Sequence, residues 1–407
     1  MLCYRTYLTI GLLALSVGFP AAGQSKKHQP AADTVPIGDQ RKTGYFDISK
    51  IVWPNPPAIP RIKFLDLRTG EKVDPNQFSK ANRKPKQKWM DRLAGAQPIN
   101  DQIQGKLPFQ LIRTYGVAVD SKGTIYAADQ GVAAIFMFDL EGAVKLIKNG
   151  TDAHFGLING LAMDDNDRLF VSDVKLNRVL VLNAKHQMEA TVGGDVLNDP
   201  AGIAIDTENR LLYVVDTGND AVRVFDADNF KLLRSIGTPG RKHTSTDPGT
   251  FSLPTNVAVD GDGNVYVTDT FNNRVEIFDA DGTFISQFGK NGDGPGQFER
   301  PKGIAVDCDG HIWVVDDAQN LVKVFNQQGQ LLIYFGGQGN YPGQFMGPYG
   351  ITIDKDNRVI VSETFPGRVQ IFHYVSDAEF EKEKVKRAEV EKPKATPPVK
   401  PVGGGPD

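Results

Sequence analysis

Apolar and polar positions alternate along most of the chain in short runs of five to seven residues, each closed by an acid or a turn residue. This is the period of half-buried strands, not of helices. The runs recur as a unit. FSLPTNVAVDGDGNVYVTDTFNNRVEIFDADGTFISQFG (251–289) is followed by FERPKGIAVDCDGHIWVVDDAQNLVKVFNQQGQLLIYFG (298–336) and FMGPYGITIDKDNRVIVSETFPGRVQIF (345–372). More degenerate copies start near 113, 156 and 198. In each copy a first strand ends in Asp (Asp120, Asp164, Asp206, Asp260, Asp307, Asp354), at intervals of 44, 42, 54, 47 and 47 residues. A second strand ends in an acid: Asp129, Asp173, Asp216, Asp269, Asp316 or Glu363. Asp262-Gly263, Asp309-Gly310 and Asp281-Gly282 are hairpin turns, so the strands of a unit run antiparallel. Six four-stranded units of about 45 residues predict an all-β, six-bladed β-propeller with N- and C-terminal extensions.

The spacing, turn residues and strand pattern of 113–375 resemble NHL repeats, although the His of that family's name is mostly replaced here. The sixth copy lacks a clear fourth strand. The alternating PRIKFLDLRTGE (60–71) offers one, and Ile62 to Leu67 is expected to close the ring, removing two open edges. The propeller then spans 61–375: a closing strand (61–68), an insertion (69–112) and the six repeats (113–375). Within the insertion, 85–95 reads as a short helix with Trp89, Met90 and Leu93 on one face and Gly95 as its stop.

The ends read differently. Residues 1–23 carry Arg5, an apolar run from Leu8 to Phe19 and the small residues Ala21-Ala22-Gly23, the pattern of a cleaved export signal. The run is too short to span a bilayer, and no later segment is long and apolar enough, so a periplasmic or extracellular protein is expected. Cleavage would leave Cys308 as the single thiol, excluding disulfides within the chain. Residues 24–60 are polar and then Pro-rich. The tail, 376–407, opens as a charged helix and is expected to be disordered beyond about Glu391.

Charge sharpens this division. The formal net charge is -3, but 113–375 holds 22 basic against 34 acidic residues, whereas 24–112 holds 16 against 8. An acidic ring repels phosphate, so nucleic acid is excluded as a partner. Lys84, Lys86 and Lys88 of the basic arm could face the ring's acids, or the arm could run along the outer edge.

Candidate chemistry collects at the rim where first strands begin and second strands end. That rim carries the six acids Asp129, Asp173, Asp216, Asp269, Asp316 and Glu363. It also carries Asn159 and Asn256 at strand entries, and Arg178, Arg274 and Arg368 where third strands begin. The acids bind a cation or basic ligand at the channel mouth, or they cap their own turns and pair with Arg; their repetition favours the second role. Asp260-Gly261-Asp262-Gly263-Asn264 starts like a calcium loop but has Val265 and Phe271 where such a loop needs Gly and Glu. The GDGPG of 292–296 lacks dinucleotide-loop spacing.

The family resemblance implies further possibilities. Related propellers include a peptide-amidating lyase with several His around a zinc, but here only His154 and His243 fall in loops of this rim. Lactonase-like propellers hold a divalent cation through Glu, Asn and Asp, which Asn159, Asn256 and Glu363 could mimic. No cofactor is predicted, with such a cation as the open exception. The WPNPPAIPRIKFL lead-in resembles exported bacterial NHL proteins, some of which accompany multihaem cytochromes. This implies a protein partner in the cell envelope, such as a c-type cytochrome complex. A non-enzymatic binding scaffold is therefore the first expectation, and a metal-dependent lyase or lactonase the second.

Overall fold

The computed structural model describes residues 47–72, 109–150, 153–238 and 243–390. The export signal, the expected helix at 85–95, Lys84, Lys86, Lys88 and the tail beyond Glu391 lie outside the described residues.

Six antiparallel sheets form the blades of a β-propeller. Blades one to five each take four consecutive strands, from Thr114–Val119 to Val144–Lys148 in blade one and from Pro301–Val306 to Leu331–Gly336 in blade five. Blade six takes Pro348–Ile353, Arg358–Glu363 and Arg368–Tyr374, and its fourth strand is Ile62–Arg68, paired from Ile62 opposite Tyr374 to Arg68 opposite Val369 with a register shift between Phe64 and Asp66. The ring is thus closed by a strand from before the repeats, as Ile62 to Leu67 suggested. A short fifth strand, Val52–Trp53, lies outside it, and the Trp53 ring packs against Phe335 and Phe372.

The alternation has a simple destination. Each blade buries both faces against its neighbours, so six apolar layers lie between blades. Phe170 and Val181 of blade two meet Leu212 and Phe225 of blade three, for example. A large apolar residue from each incoming connection caps a layer at the entry rim: Leu111, Phe155, Leu197, Phe251, Phe298 and Phe345, all buried.

Two features shape the centre. Every inner strand leaves its ladder just after its first residue, a bulge seen between Thr114 and Val117, Pro301 and Ile304, and Pro348 and Ile351. The inner strands also approach one another very closely. A Cβ at Gly116, Gly303 or Gly350 would lie 2.4 Å from a carbonyl oxygen of the next inner strand. Glycine at this position is therefore a packing demand. In blade four Asn256 stands there instead, and its Oδ1 accepts from the Val257 N–H.

The helix α1 (Asp377–Val390) follows blade six. Arg61 pairs with Asp377, and Lys63 with Glu383 at 2.9 Å, which ties it to the closing strand.

Candidate functional site

The six rim acids are fully buried. Asp129 accepts from the N–H groups of Ile112, Arg113 and Val132, and Asp173 from those of Gly156, Leu157 and Leu176. Each carboxylate thus joins the connection entering its blade to the turn leaving its second strand. Asp216 adds Arg223 Nε at 2.8 Å, Asp269 adds Arg274 Nε at 2.9 Å and Glu363 adds Arg368 Nε at 2.6 Å. Asp316 accepts from the Glu299 and Arg300 N–H groups, with Lys323 Nζ at 3.4 Å. Burial raises Asp269 and Glu363 above ordinary carboxylates, against the pull of their arginines. Arg274 and Arg368 also donate to the carbonyls of Thr250 and Gln344, 2.8 Å each, while Arg178 Nε donates to the Leu176 carbonyl. The acids, Arg274 and Arg368 thus tie each blade to the connection that enters it from its neighbour, whereas the Arg178 contact stays within its own turn. Of the two roles open to the acids, capping turns and pairing with Arg is the one this geometry fits, and the ligand-facing ring is set aside: all six carboxylates are buried and engaged.

The channel also differs from expectation. A central cavity of about 560 Å³ is lined by the inner strands from Gly116, Gly160 and Gly350 down to the turns that follow them, including Ser121, Asp165, Thr207 and Lys355. It is associated with the rim opposite the six acids. Of the candidates named from the sequence, Asn256 alone lines it.

The acid-side end of the channel is occupied by side chains instead. The inner-strand bulges re-aim the residue before each glycine, a common use of bulges near sites. In blades five, six, one and two that residue is Lys302, Tyr349, Tyr115 and Asn159. The rings of Tyr115 and Tyr349 meet edge-on with centroids 4.6 Å apart. Asn159 Nδ2 lies 3.4 Å from the Tyr349 hydroxyl, a contact that spans from blade two to blade six. The Lys302 ammonium lies 5.8 Å from the Tyr349 ring centroid. Burial pushes Lys302 down and lifts Tyr349 to about 12. Beside them Asp317, itself raised by burial, pairs with Arg300 Nε at 2.8 Å. Asn159 is the one predicted candidate in this cluster. The signal for the others was available: the residue before each repeated glycine varies from blade to blade, while its surroundings do not.

The same rim carries exposed apolar side chains on its loops, with Phe271 67%, Phe365 63% and Ile112 57% exposed. Among the described residues histidines do not gather there: His154 is exposed, and His243 Nδ1 is held 2.8 Å from Asp220. At the opposite rim Asp307, Asp309 and His311 lie within 4.8 Å of one another. Trp313 Nε1 donates to Asp307, and Tyr374 and the Asp377 N–H donate to Asp309. The Asp260 turn is a hairpin, its carboxylate taken by Asp262, Asn264 and Tyr266.

Comparison with known proteins agrees with this architecture. A family model for the NHL repeat matches residues 197–225, and one described as a 6-bladed beta-propeller matches 250–322. The chain carries an NHL repeat and folds as a six-bladed β-propeller. This NHL propeller is 30% identical over 113 residues to a probable peptidyl-alpha-hydroxyglycine alpha-amidating lyase of Caenorhabditis elegans. That match covers 27% of this chain and 31% of the relative, so the chain spans about a third of the curated relative's length. Among solved structures, a Bacteroides thetaiotaomicron protein of unknown function aligns with a TM-score of 0.53 at 18% identity, over 65% of this chain and 70% of that one. A gluconolactonase of Xanthomonas campestris aligns with a TM-score of 0.51 at 19% identity, over 66% and 90%. At such identities the likeness concerns the fold. No helix among the described residues is long and apolar enough to cross a membrane.

Proposed function

We propose that this NHL propeller is an exported, non-enzymatic platform that binds a protein partner on the rim where chain segments enter each blade. One observation carries the reading: that rim presents Phe271, Phe365 and Ile112 to solvent, from loops anchored by fully buried acids. Exposed aromatics on rigid loops are the usual anchors of protein interfaces, because their burial releases much apolar area at little entropic cost. The buried acids explain the rigidity, since each one fixes an entering connection to a turn.

The lead-in's likeness to exported bacterial NHL proteins, some of which accompany multihaem cytochromes, makes a c-type cytochrome assembly of the cell envelope the partner class to test first. The test is affinity capture of the tagged full chain from envelope fractions, compared with a Phe271→Ser, Phe365→Ser double variant. Haem-containing protein should accompany the wild type and be lost from the variant. Equal capture by both would sink this reading.

A second reading, a divalent-metal lyase or lactonase, is favoured by the likeness to the amidating lyase over 113 residues. A metal held stoichiometrically after dialysis, and lost on substitution of His311, would favour it.

A further inference from the structure

The acid-side end of the channel holds hydrogen-bond donors that meet no matching acceptor among the described residues. Among the described residues the Lys302 ammonium makes no hydrogen bond or ion pair, only its approach to the Tyr349 ring. Among the same residues the Tyr115 hydroxyl has no hydrogen-bond partner, and the Tyr349 hydroxyl receives only the long contact from Asn159. The nearby carboxylate, Asp317, is engaged by Arg300. Counting Arg300, Lys302 and Asp317, the cluster carries one net positive charge inside a ring whose repeats are strongly acidic. A half-buried ammonium has lost part of its hydration and gains from an anion that meets it, and donors without acceptors select an anion over a cation. Lys302, Tyr115 and Tyr349 all remain partly exposed, so a ligand can reach them.

We propose that Lys302, Tyr349, Tyr115 and Asn159 form a binding site for a carboxylate bearing an apolar or aromatic substituent. The carboxylate sits against the Lys302 ammonium and the tyrosine hydroxyls, and the substituent lies against the paired tyrosine rings. A single negative charge balances the cluster, whereas a phosphate dianion would overfill it. The site is built from a position that does not follow the sixfold repeat, being Tyr115, Asn159, Ala201, Thr255, Lys302 and Tyr349 around the ring, as recognition of one asymmetric ligand requires. It stands independently of the partner reading, because a small carboxylate and a protein partner are measured separately.

The test is a calorimetric titration of the full chain with phenylacetate and, in parallel, with neutral phenylacetamide. Acetylation of each lysine by acetic anhydride is followed by mass spectrometry with and without phenylacetate. Binding of phenylacetate but not the amide is expected, with Lys302 selectively protected. Lys302→Met should weaken phenylacetate roughly tenfold or more, since a charge-assisted hydrogen bond is lost, whereas Lys302→Arg retains it. Equal binding of the two probes, unchanged affinity in Lys302→Met, or neither heat nor protection at about 10 mM phenylacetate would overturn the proposal. If Lys302→Met does not fold, Tyr349→Phe decides: weakening by about threefold to tenfold supports the site, and unchanged affinity removes it.

Discussion

Two sets of polar residues sit on the same side of this ring and behave in opposite ways. The six acids at the second-strand ends repeat in every blade, are fully buried and have their oxygens occupied by backbone N–H groups and arginines. The residues before the inner-strand glycine position do not follow the sixfold repeat, remain partly exposed in Tyr115, Lys302 and Tyr349, and leave donors unused among the described residues. Repetition here marks what every blade needs to join its neighbour. Irregularity against that repeat marks where the ring can recognise something that lacks sixfold symmetry.

The sharpest way to break this contrast is to remove a joint. Glu363→Ala strands the buried Arg368 guanidinium, and a loss of about 3–5 kcal/mol in unfolding free energy is expected by chemical denaturation. A loss below about 0.5 kcal/mol would mean that the acids are dispensable to the fold.

A smaller effect is expected at the glycine ring. Gly303→Ala places a Cβ 2.4 Å from the Tyr349 carbonyl, forcing two inner strands apart. A cost of about 1–3 kcal/mol is expected, with altered exchange protection confined to blades five and six.

Glu276 allows the joint chemistry to be read through pH. It is fully buried beside Arg274 Nη2 at 3.0 Å, accepts the Gly249 N–H and leaves Oε2 without a partner. Burial raises it from its ordinary 4.5 to about 7. The folded state therefore keeps a proton that the unfolded chain releases in this range. Its contribution to stability is full below pH 4.5 and is lost as pH rises towards 7. Denaturation midpoints should fall across that window in the wild type, and the fall should be shallower in Glu276→Gln. Parallel pH profiles would remove Glu276 from the account.

The smallest stability effects belong to the irregular positions. Lys302→Met and Phe271→Ser should change unfolding free energy by no more than about 0.5–1 kcal/mol, because neither side chain fixes a joint. A large loss in either would blur the distinction between joints and recognition surface.

Much of this architecture was legible from residues alone. The Asp-Gly turns and six terminal acids located the blades, and the alternation of Ile62 to Leu67 located the strand that closes them. The structural role of the acids was also foreshadowed by their repetition. Burial of all six was less readable, because it depends on connections such as 111–113 and 156–157 folding back over each carboxylate. The closed channel end was missed for a related reason. A one-residue bulge puts Tyr115, Lys302 and Tyr349 in the lumen, and strand alternation carries no sign of a bulge. Asn159 and Asn256 looked equivalent as strand entries, yet one precedes the glycine position and the other occupies it.

The central claim, that the loops of the entry rim are the recognition surface, is tested most directly by site-specific photo-crosslinking in intact cells. A benzophenone amino acid at Phe365 probes that rim, and one at Tyr334, equally solvent-facing on the outer strand of blade five, probes the propeller's edge. A discrete protein adduct from position 365, with none from 334, is the predicted result. Adducts from 334 with none from 365 would contradict it.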